Sequence, residues 1–514
     1  MKTTALIALL TSSLALTACD KPSTAPEEEQ AQFTANVESL EQVNPAPEWF
    51  KDAKFGIYFH WGVYATPAFY SEWYPRNMYQ DDRPEYEHHV ETYGHPDDWP
   101  YHYFITGAED KNGNFVQFAP RLKSEGGKFD PDAWAELFAQ SGARFAGPVA
   151  EHHDGFSMWD SDINPWNAVN HGPQTDLVAA LAEAIRARDM KLILSMHHAY
   201  NITGFFENAP QQQDPELQML YGQMGKEKNE AVWLEKHKEI INKFQPDIIW
   251  QDFNLTELSE PVLLEFLAYY YNHAAGLNKE VVATYKDALN PKLAVLDYER
   301  GGPKELTEDY WLTDDALSET SWSYTEGISY YPAIQVLHSF FDRISKNGNL
   351  LLNISPLIDG TIPQAQQDIL LAMGDWLGRF GEAVYATRAW EVYGEGPTQM
   401  GSGHHHAEGA SFARPTQGTP EDIRFTRSKD KTSLYAIVLG WPGEQLSIRT
   451  LTADRFNVEA LASAELLTDA APLALEYQQD NQGLHLNLPA EHPEEMAYVV
   501  KLHFPKGIPA LKAE

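Results

Sequence analysis

The sequence is poor in cysteine, in basic residues and in long apolar runs. Cys19 is the single cysteine among 514 residues, so no internal disulfide forms and the folded part depends on its hydrophobic core. Lys and Arg number 38 against 74 Asp and Glu, and the net charge of -36 repels phosphate backbones and anionic lipid surfaces. We therefore predict that nucleic acid is not a partner.

Apolar and aromatic residues, in contrast, are abundant. The apolar fraction is 43%, and the chain contains 14 Trp, 25 Tyr and 24 Phe. This composition is globular, and the length exceeds that of one ordinary domain. Two or three compact units are therefore expected.

The N-terminus is typical of an export signal. One Lys precedes an apolar run with small residues, which is too short to span a bilayer and ends in "LTAC". These four residues resemble the lipobox of bacterial lipoproteins, in which the signal is cut before a cysteine that then carries lipid. An ordinary signal peptide with an incidental cysteine is the alternative. We predict a signal peptide over residues 1–18, lipidation of Cys19 and a flexible tether over 19–42. The protein would then be an exported lipoprotein of the bacterial cell envelope, periplasmic or outer-membrane, attached to the membrane only through its lipid.

From about residue 45 the chain alternates strand-like apolar runs with helical patterns. Near-continuous apolar strands separated by helices imply a parallel sheet that is covered on both faces. Seven or eight such repeats fit a closed (β/α)8-like (TIM) barrel better than an open sheet, so the predicted fold class is α/β. The strand-like runs are "KFGIYFHWG", "RFAGPVAEHH", "KLILSMHH", "PDIIWQDFN", "VVATYKD", "LAVLDYERG" and "NLLLNIS".

The barrel is predicted to extend from residue 43 to residue 395. Within it, residues 75–128 are rich in aromatics, His, Asp and Gly and have weak periodicity, which is typical of an insertion over the barrel mouth. Beyond it, "SLYAIVLGW", "GLHLNLPA" and "EMAYVVKLHF" are short alternating strands between turns. They predict a C-terminal antiparallel β-sandwich over residues 396–514.

Chemically capable side chains follow the strand-like runs. In a parallel barrel the carboxyl ends of the strands meet at one rim, where barrel enzymes build their active sites. We therefore expect these side chains to converge. They are His60, His152, His153, His197, His198, Asp252, Lys286, Glu299 and Asn353.

A metal site is one interpretation of the histidines, which also pair at His88–His89 and cluster at His404–His406. Zinc takes three or four ligands that converge on one point. Adjacent residues of a strand point to opposite faces, so a His-His pair at a strand end is poorly arranged to hold one ion. We therefore predict no metal and no cofactor, and solvated or packed roles for His88–His89 and His404–His406.

Two carboxylates and several aromatic rings favour chemistry on sugars instead. Asp252 and Glu299 follow buried runs at the same rim, and glycoside cleavage needs one ionised and one protonated carboxyl group. Because acidic residues are abundant in this chain, their spacing alone is a weak signal. Sugar rings stack their apolar faces on aromatic side chains, and four tryptophans adjoin these segments. They are Trp61, Trp73, Trp250 and Trp322.

Seven blocks of the sequence, in order, resemble glycoside hydrolase family 29, the retaining α-L-fucosidases. The resemblance covers about residues 45–400 and implies a catalytic (β/α)8-like barrel followed by a β-sandwich, with no metal. The blocks are "WFKDAKFGIYFHWGVYATPA", "SEWYP", "FDPDAWAELFAQSGARF", "EHHDGFSMWDSDINPWN", "IIWQDFN", "SKNGNLLLNISPLIDGTIP" and "YATRAWEVYGEGPT".

The resemblance implies a role for each matching residue. It makes Asp252 the nucleophile, although the block reads Trp-Gln-Asp-Phe where the family more usually has Trp-Phe-Asp-Gly. It also implies that His152 and His153 hydrogen-bond fucose hydroxyls, and that His60 and the Glu72–Trp73 pair complete the pocket.

Five more residues near the same rim are predicted substrate contacts. Lys286 is expected to hold the nucleophile ionised through its positive charge. Trp61 and Trp322 are expected to stack on or enclose the sugar, including the C6 methyl group that separates fucose from galactose. His197 and His198 complete the predicted set.

Members of the family differ in the position of the Glu that acts as the general acid/base. Many members supply it from a Trp-Glu pair shortly before a Ser-Trp-Gly-Tyr block; here the block reads "SWSY" and the pair reads "WL", so that Glu is absent. Other members place it just after the preceding strand, where this chain has Glu299. We predict Glu299, with Glu319 and Glu305 in reserve. A structural ion pair of Glu299 with Arg300 or Lys286 is the alternative.

The predicted function is that of an exo-acting retaining α-L-fucosidase. It removes terminal α-L-fucose from fucosylated oligosaccharides or polysaccharides, algal fucans among them, by double displacement through Asp252 and Glu299. One rival is a catalytically impaired surface lipoprotein that binds fucosides, and the missing Trp-Glu pair keeps this reading open. Another is a related glycosidase for a different deoxy or galacto-configured sugar.

Overall fold

The computed structural model describes residues 32–400 and 414–512. The predicted signal peptide, Cys19, most of the predicted tether and His404–His406 lie outside these ranges. Within them, each helix is too short or too polar to cross a bilayer.

Eight parallel strands close into a barrel, as predicted. Around the barrel the order is β1-β8-β7-β6-β5-β4-β3-β2, and β1 pairs with both β8 and β2. The strands are β1 (Phe55–Phe59), β2 (Phe145–Glu151), β3 (Lys191–Met196), β4 (Ile248–Gln251), β5 (Val282–Tyr285), β6 (Val295–Asp297), β7 (Trp311–Ala316) and β8 (Gly348–Ile354).

Apolar side chains from all eight strands fill the barrel interior. A Cβ atom at Gly56 would lie 2.1 Å from the ring of Phe145, so glycine on β1 leaves the space that this ring occupies. The interior side chains include Tyr58, Phe145, Val149, Ile193, Ile248, Trp250, Val282, Val295, Leu312 and Leu351.

Six longer helices cover the outside of the barrel. The first begins as predicted: Pro131 occupies its first turn, and the Asp130 side chain accepts a hydrogen bond from the Ala133 amide. Turns alone join β5 to β6 and β6 to β7, which keeps the residues after β5 and β6 close together. The helices are α1 (Pro131–Gln140), α2 (Leu177–Arg186), α3 (Lys226–Phe244), α4 (Glu260–Gly276), α5 (Ala333–Ser345) and α6 (Gln364–Phe380).

The predicted insertion, residues 75–128, consists of short elements. It contacts the carboxyl-terminal rim, where the Tyr101 hydroxyl donates a 2.7 Å hydrogen bond to Asp154 just beyond β2. Its elements are short helices at Tyr74–Asn77, Pro84–Thr92 and Tyr103–Thr106, a ribbon of Ala108–Glu109 with Phe115–Val116, and a 3-10 turn at Lys123–Glu125. Other short helices are Val37–Leu40, Glu48–Ala53, His198–Tyr200 and Pro215–Leu220, with a π-helical turn at Asn201–Phe205.

The last ten residues of the predicted tether pack on the barrel. The Asn272 side chain on α4 bonds the backbone N–H and C=O of Phe33, at 2.8 and 2.7 Å. Phe33, Val37 and Leu40 recur at helical spacing and pack against a core cluster that includes α4. Residues 33–42, which the sequence analysis assigns to the tether, therefore belong to the folded barrel.

The C-terminal region forms two antiparallel sheets that share one core, which confirms the predicted β-domain. The six-stranded sheet has the order β9-β10-β11-β17-β13-β14, and the three-stranded sheet has the order β12-β16-β15. Because β9 pairs with β10, this domain begins at Thr387 rather than at residue 396. The strands are β9 (Thr387–Glu395), β10 (Ile423–Ser428), β11 (Ser433–Val438), β12 (Gln445–Ile448), β13 (Ser463–Leu466), β14 (Leu473–Ala474), β15 (Tyr477–Asp480), β16 (Gly483–Asn487) and β17 (Tyr498–His503).

Candidate active site

A cavity of about 930 Å³ lies at the carboxyl-terminal rim of the barrel. Its walls bring together most of the side chains that the sequence predicts for the site. They are His60, Glu72, Trp73, His152, His153, His197, Asp252, Lys286, Glu299 and Trp322.

Asp252 follows β4 and is 6% exposed. Its Oδ2 accepts a hydrogen bond from His197 Nδ1 at 2.9 Å and lies 3.1 Å from His153 Nε2, while its Oδ1 lies 3.0 Å from Lys286 Nζ. Burial acts to raise the pKa of Asp252, but Lys286 and the two histidines outweigh burial and hold that pKa well below its usual range. Asp252 is therefore a buried, ionised carboxylate at neutral pH.

Lys286 links Asp252 to a second carboxylate. Its Nζ lies 2.8 Å from Glu299 Oε2 as well as 3.0 Å from Asp252 Oδ1. Because one nitrogen contacts both groups, the two oxygens lie within about 6 Å of each other, and retaining glycosidases separate their carboxyl groups by about 5–5.5 Å. Burial acts to lower the pKa of Lys286, but the surrounding carboxylates raise it well above its usual value, so the lysine stays charged.

His197 is held as one neutral tautomer. Its Nε2 lies 2.9 Å from the Ser195 hydroxyl, and its Nδ1 lies 2.9 Å from Asp252 Oδ2. Burial lowers the pKa of His197 to about 4. Because the carboxylate can only accept, we assign the proton to Nδ1, and Nε2 then accepts from Ser195. No sequence feature other than its position on β3 points to Ser195.

His153 differs from His197 in its hydrogen-bond partners. Its Nδ1 lies 2.7 Å from the carbonyl oxygen of His197, and its Nε2 lies 3.1 Å from Asp252 Oδ2. Both partners are acceptors, so the ring of His153 bridges two oxygens, one of which belongs to Asp252. His153 therefore approaches Oδ2 of Asp252, while Lys286 approaches Oδ1.

His60 and His152 present neutral imidazoles to the cavity. Burial lowers the pKa of both rings well below the usual histidine value. His60 Nδ1 lies 2.8 Å from Asn353 Oδ1, and the Asn353 amide donates to the Trp322 carbonyl at 2.7 Å, which fixes the amide orientation. Because the Asn353 oxygen can only accept, the His60 proton lies on Nδ1, and Nε2 is left as an acceptor for a sugar hydroxyl. Neutral His152 offers one donor and one acceptor.

Two buried aspartates lie beneath Lys286. Asp314 on β7 accepts a 2.8 Å hydrogen bond from the Tyr58 hydroxyl, and its amide donates to Asp297 Oδ1 at 2.9 Å. Burial raises the pKa of both carboxyl groups, and their mutual repulsion raises that of Asp297 well above its usual value. Both carboxyl groups therefore keep a proton to higher pH than an exposed aspartate does. Asp314 was not predicted because the sequence of β7 lacks a continuous apolar run.

Glu72 connects the loop after β1 to the loop after β7. Its Oε2 accepts from the Trp322 amide at 2.9 Å and from the Ser321 hydroxyl at 3.1 Å. The guanidinium of Arg300 lies 4.4 Å from the ring centroid of Trp322 on the cavity wall. Trp73 lines the cavity nearby, with its ring centroid 5.6 Å from that of His153.

Two predicted contacts do not line the cavity. Trp61 is 1% exposed, donates to the Leu357 carbonyl at 2.8 Å and packs against Phe129 and Trp134 in the core. His198 is fully buried, with its Nδ1 3.1 Å from Glu151 Oε1. Neither side chain is placed to touch a sugar in the cavity, so the predictions for both are corrected.

The two reserve candidates for the general acid/base differ in their distance from the cavity. Glu319 borders the cavity, whereas the other reserve acid, Glu305, is exposed and outside the lining.

His89 is buried and lies 3.1 Å from the Tyr74 hydroxyl, and His88 lies 3.0 Å from the same oxygen. The His88–His89 pair therefore has a packing role.

The cavity histidines also approach the spacing of a metal site. In each of two trios the candidate ligand atoms lie within 4.8 Å of one another. However, both ring nitrogens of His197, which belongs to both trios, already have protein partners. This arrangement suits hydrogen bonding to a polyhydroxylated ligand. The trios are His60, His152 and His197, and His153, His197 and Asp252.

Comparison with models of protein families shows which family the chain belongs to. A model described as alpha-L-fucosidase matches residues 22–382, and a model described as alpha-L-fucosidase C-terminal domain matches residues 417–503. The chain belongs to the α-L-fucosidase family. The resemblance to glycoside hydrolase family 29 that the sequence blocks carry is thereby confirmed.

Relatives and solved structures that resemble this chain are also named alpha-fucosidases. Tissue alpha-L-fucosidase of Mus musculus is 29% identical over 384 residues, which cover 71% of this chain and 76% of the relative. That of Macaca fascicularis is 28% identical over 506 residues, which cover 92% and 91%. The crystal structure of Thermotoga maritima alpha-fucosidase in complex with fucose has a TM-score of 0.71 at 26% identity and covers 91% of this chain and 100% of that one. The chain is a glycoside hydrolase with α-L-fucosidase function.

Proposed function

We propose that the chain is an exo-acting retaining α-L-fucosidase in which Asp252 is the nucleophile and Glu299 the general acid/base. The observation that carries this proposal is the shared contact of both carboxyl groups with Lys286 Nζ, at 3.0 and 2.8 Å. It supports a carboxyl separation suited to a covalent intermediate. The Thermotoga maritima relative has been crystallised with fucose, which supports the same sugar here.

In the first step Asp252 attacks the anomeric carbon of fucose. The C1–O bond to Asp252 forms, the glycosidic C1–O bond breaks, and protonated Glu299 gives its proton to the leaving oxygen. Lys286 and His153 hold Asp252 ionised before the attack. His197 donates to Asp252 Oδ2 and fixes the orientation of the carboxylate.

In the second step a water molecule hydrolyses the fucosyl-enzyme. Glu299, now a carboxylate, takes a proton from the water, whose oxygen attacks C1 and releases Asp252. Each displacement inverts C1, so the product retains the α configuration. Neutral His152 binds fucose hydroxyls as donor and acceptor, and neutral His60 binds one as an acceptor through Nε2. Trp322 and Trp73 contact apolar faces of the sugar.

The test is release of 4-nitrophenol from its α-L-fucoside by the wild type, Asp252→Gly and Glu299→Ala, with and without azide. We expect both variants to lose activity. Azide should restore turnover and give β-fucosyl azide from Asp252→Gly and α-fucosyl azide from Glu299→Ala. A wild type that binds the fucoside without cleaving it would refute the proposal in favour of a binding protein.

Another outcome of this experiment would change only the assignment of the general acid/base. Near-normal turnover of a poor-leaving-group fucoside by Glu299→Ala would reassign the acid/base to Glu319, which borders the same cavity. Activity on other deoxy or galacto-configured aryl glycosides above that on the fucoside would reassign the sugar.

We also propose that the enzyme is a lipoprotein attached through Cys19. The lipobox-like "LTAC" motif supports this location. The wild type should co-sediment with membranes and incorporate labelled fatty acid, and a Cys19→Ser variant should do neither. Equal membrane association of both proteins would contradict lipid attachment.

A further inference from the structure

The cavity has an inner and an outer part. At the inner end Asp252 and Lys286 are 6% and 5% exposed. At the outer end Arg83, Thr320 and Tyr70 are exposed, and Tyr70 reaches 61%. The volume of about 930 Å³ is near the upper end of the roughly 300–1,000 Å³ that suits drug-sized ligands, so the cavity holds more than one monosaccharide.

Tyr70 combines an exposed ring with a strained backbone. Its φ of 64° is in the left-handed region, which non-glycine residues rarely occupy. A large aromatic side chain with so much exposed surface adds little to folding stability. Strain without a folding benefit, at the edge of an active-site cavity, indicates a role in binding.

Contacts on either side of Tyr70 hold its backbone in this conformation. The ring of Phe69 stacks on His88 with 4.0 Å between centroids and 8° between planes. The Ala68 carbonyl accepts a 2.8 Å hydrogen bond from the Glu326 amide, which lies on the loop after β7. These contacts fix the two residues that precede Tyr70. On its other side the Ser71 amide donates to the Phe69 carbonyl at 2.9 Å, so the backbone of Tyr70 is held at the cavity mouth.

We infer that Tyr70 is the stacking face of a subsite for the sugar to which the terminal fucose is attached. This inference rests on the proposed function, because fucose in the inner part directs its leaving group toward the outer part. The ligand class is a pyranose with one apolar C–H face, which packs on the phenol ring. Arg83, Glu319 and Thr320 border the same part of the cavity and offer polar groups to its hydroxyls.

The experiment compares two kinds of substrate in Tyr70 variants. α-L-Fucosyl fluoride has no leaving sugar, whereas fucosyl disaccharides with 1→2, 1→3, 1→4 and 1→6 linkages do. For Tyr70→Ala and Tyr70→Gly we expect kcat/KM to fall about tenfold on the wild type's best disaccharide and to change less than about twofold on the fluoride. Tyr70→Phe keeps the ring and should match the wild type on both.

Thermal unfolding tests whether Tyr70 contributes to substrate binding or to folding stability. Because glycine adopts a positive φ without strain, Tyr70→Gly should have a Tm equal to or above that of the wild type while losing disaccharide activity. An unchanged disaccharide kcat/KM in Tyr70→Gly would overturn the inference. An equal loss on the fluoride would overturn it too, since Tyr70 would then act on the fucose site.

The wild type distinguishes this inference from the proposed function. Cleavage of the fluoride without cleavage of any disaccharide would leave the fucosidase proposal standing and overturn the subsite. No cleavage of either substrate would refute the fucosidase proposal itself, and the subsite would fall with it.

Discussion

The ammonium group of Lys286 lies 3.0 Å from Oδ1 of Asp252 at the bottom of a cavity where both side chains are almost fully buried. Burial alone would raise the pKa of Asp252, but Lys286 is the strongest of the groups that lower it. A nucleophile must be ionised to attack, so this contact sets how far activity extends toward acid pH.

Replacing Lys286 with Met removes this charge and raises the pKa of Asp252. We expect the acid limb of the kcat/KM–pH profile to move to higher pH by about one unit or more, with the largest loss of activity at acid pH. Lys286→Arg keeps the charge and should retain the wild-type limb. Profiles measured with α-L-fucosyl fluoride would contradict the prediction if Lys286→Met kept the wild-type acid limb.

The Ser195 hydroxyl stabilises the tautomer of His197 that donates to Asp252. Without this hydroxyl, Nε2 loses its donor and the ring gains access to the tautomer that cannot donate to Asp252. We expect Ser195→Ala to lower kcat about tenfold while the free energy of unfolding falls by only about 1 kcal/mol. Ser195→Thr, which keeps a hydroxyl, serves as the control. Unchanged kcat in Ser195→Ala would mean that the hydroxyl does not select the tautomer.

Much of this site follows from the sequence because polar groups after buried apolar runs converge at a barrel rim. The limits of that rule also have physical causes. Trp61 stands one residue after the cavity histidine His60, and alternation along the chain that leaves β1 turns it away from the cavity. His198 instead begins a short helix, and its side chain approaches Glu151. His152 and His153 both reach it because the chain leaves β2 at Glu151 and enters a turn, where alternation no longer applies.

The strand β7 was missed for a different reason. Its sequence, "WLTDDA", interrupts the apolar pattern of a buried strand with two aspartates. Both are buried because distant residues pair with them: Tyr58 bonds Asp314, and Arg343 on α5 lies 2.7 Å from Asp315. Partners that are hundreds or tens of residues away cannot be read from local periodicity.

Asp154 makes folding stability depend on pH. It is 1% exposed and accepts a hydrogen bond from the Tyr101 hydroxyl, and burial raises its pKa to about 7. The unfolded chain releases this proton near pH 4, so the folded state holds the extra proton, and stability falls as pH rises from about 4 through 7. Each unit of this difference corresponds to about 1.4 kcal/mol.

Asp154→Asn removes this titration. We expect its free energy of unfolding to match that of the wild type near pH 4 and to exceed it by up to about 4 kcal/mol at pH 8. Urea unfolding from pH 4 to pH 8 gives the difference directly. Tyr101→Phe, which removes the donor to the ionised form, should steepen the wild-type decline. Parallel curves for the wild type and Asp154→Asn would refute a raised pKa at this carboxyl.

A chelator tests the role of the cavity histidines. Because protein partners occupy both ring nitrogens of His197, we expect hydrogen bonding rather than metal binding at this site. Exhaustive dialysis against EDTA should leave kcat unchanged, and added zinc should not raise it. Loss of activity that zinc restores would identify one of the two histidine trios as a metal site instead.

Asp342 on α5 joins the barrel to the C-terminal domain. Its Oδ1 accepts from Arg424 Nε on β10 at 2.6 Å, and its Oδ2 accepts from Lys346 Nζ at 2.8 Å, with all three side chains buried. Asp342→Ala leaves two buried cations without their carboxylate, which should lower the free energy of unfolding by about 3–5 kcal/mol. The kcat of the folded enzyme should stay the same, because these residues lie outside the cavity lining.

An exposed ion pair provides the matched control for Asp342. Asp132 pairs with Arg188 at 3.1 Å, but its side chain is 76% exposed. Water solvates both partners when the pair is broken, so Asp132→Ala should cost about 1 kcal/mol or less. The free energies of unfolding are measured with urea at the same pH. A similar decrease in the two variants would mean that the buried charge of Asp342 does not stabilise the contact between the domains. A loss in Asp342→Ala alone, at constant kcat, would assign the interface a purely structural role.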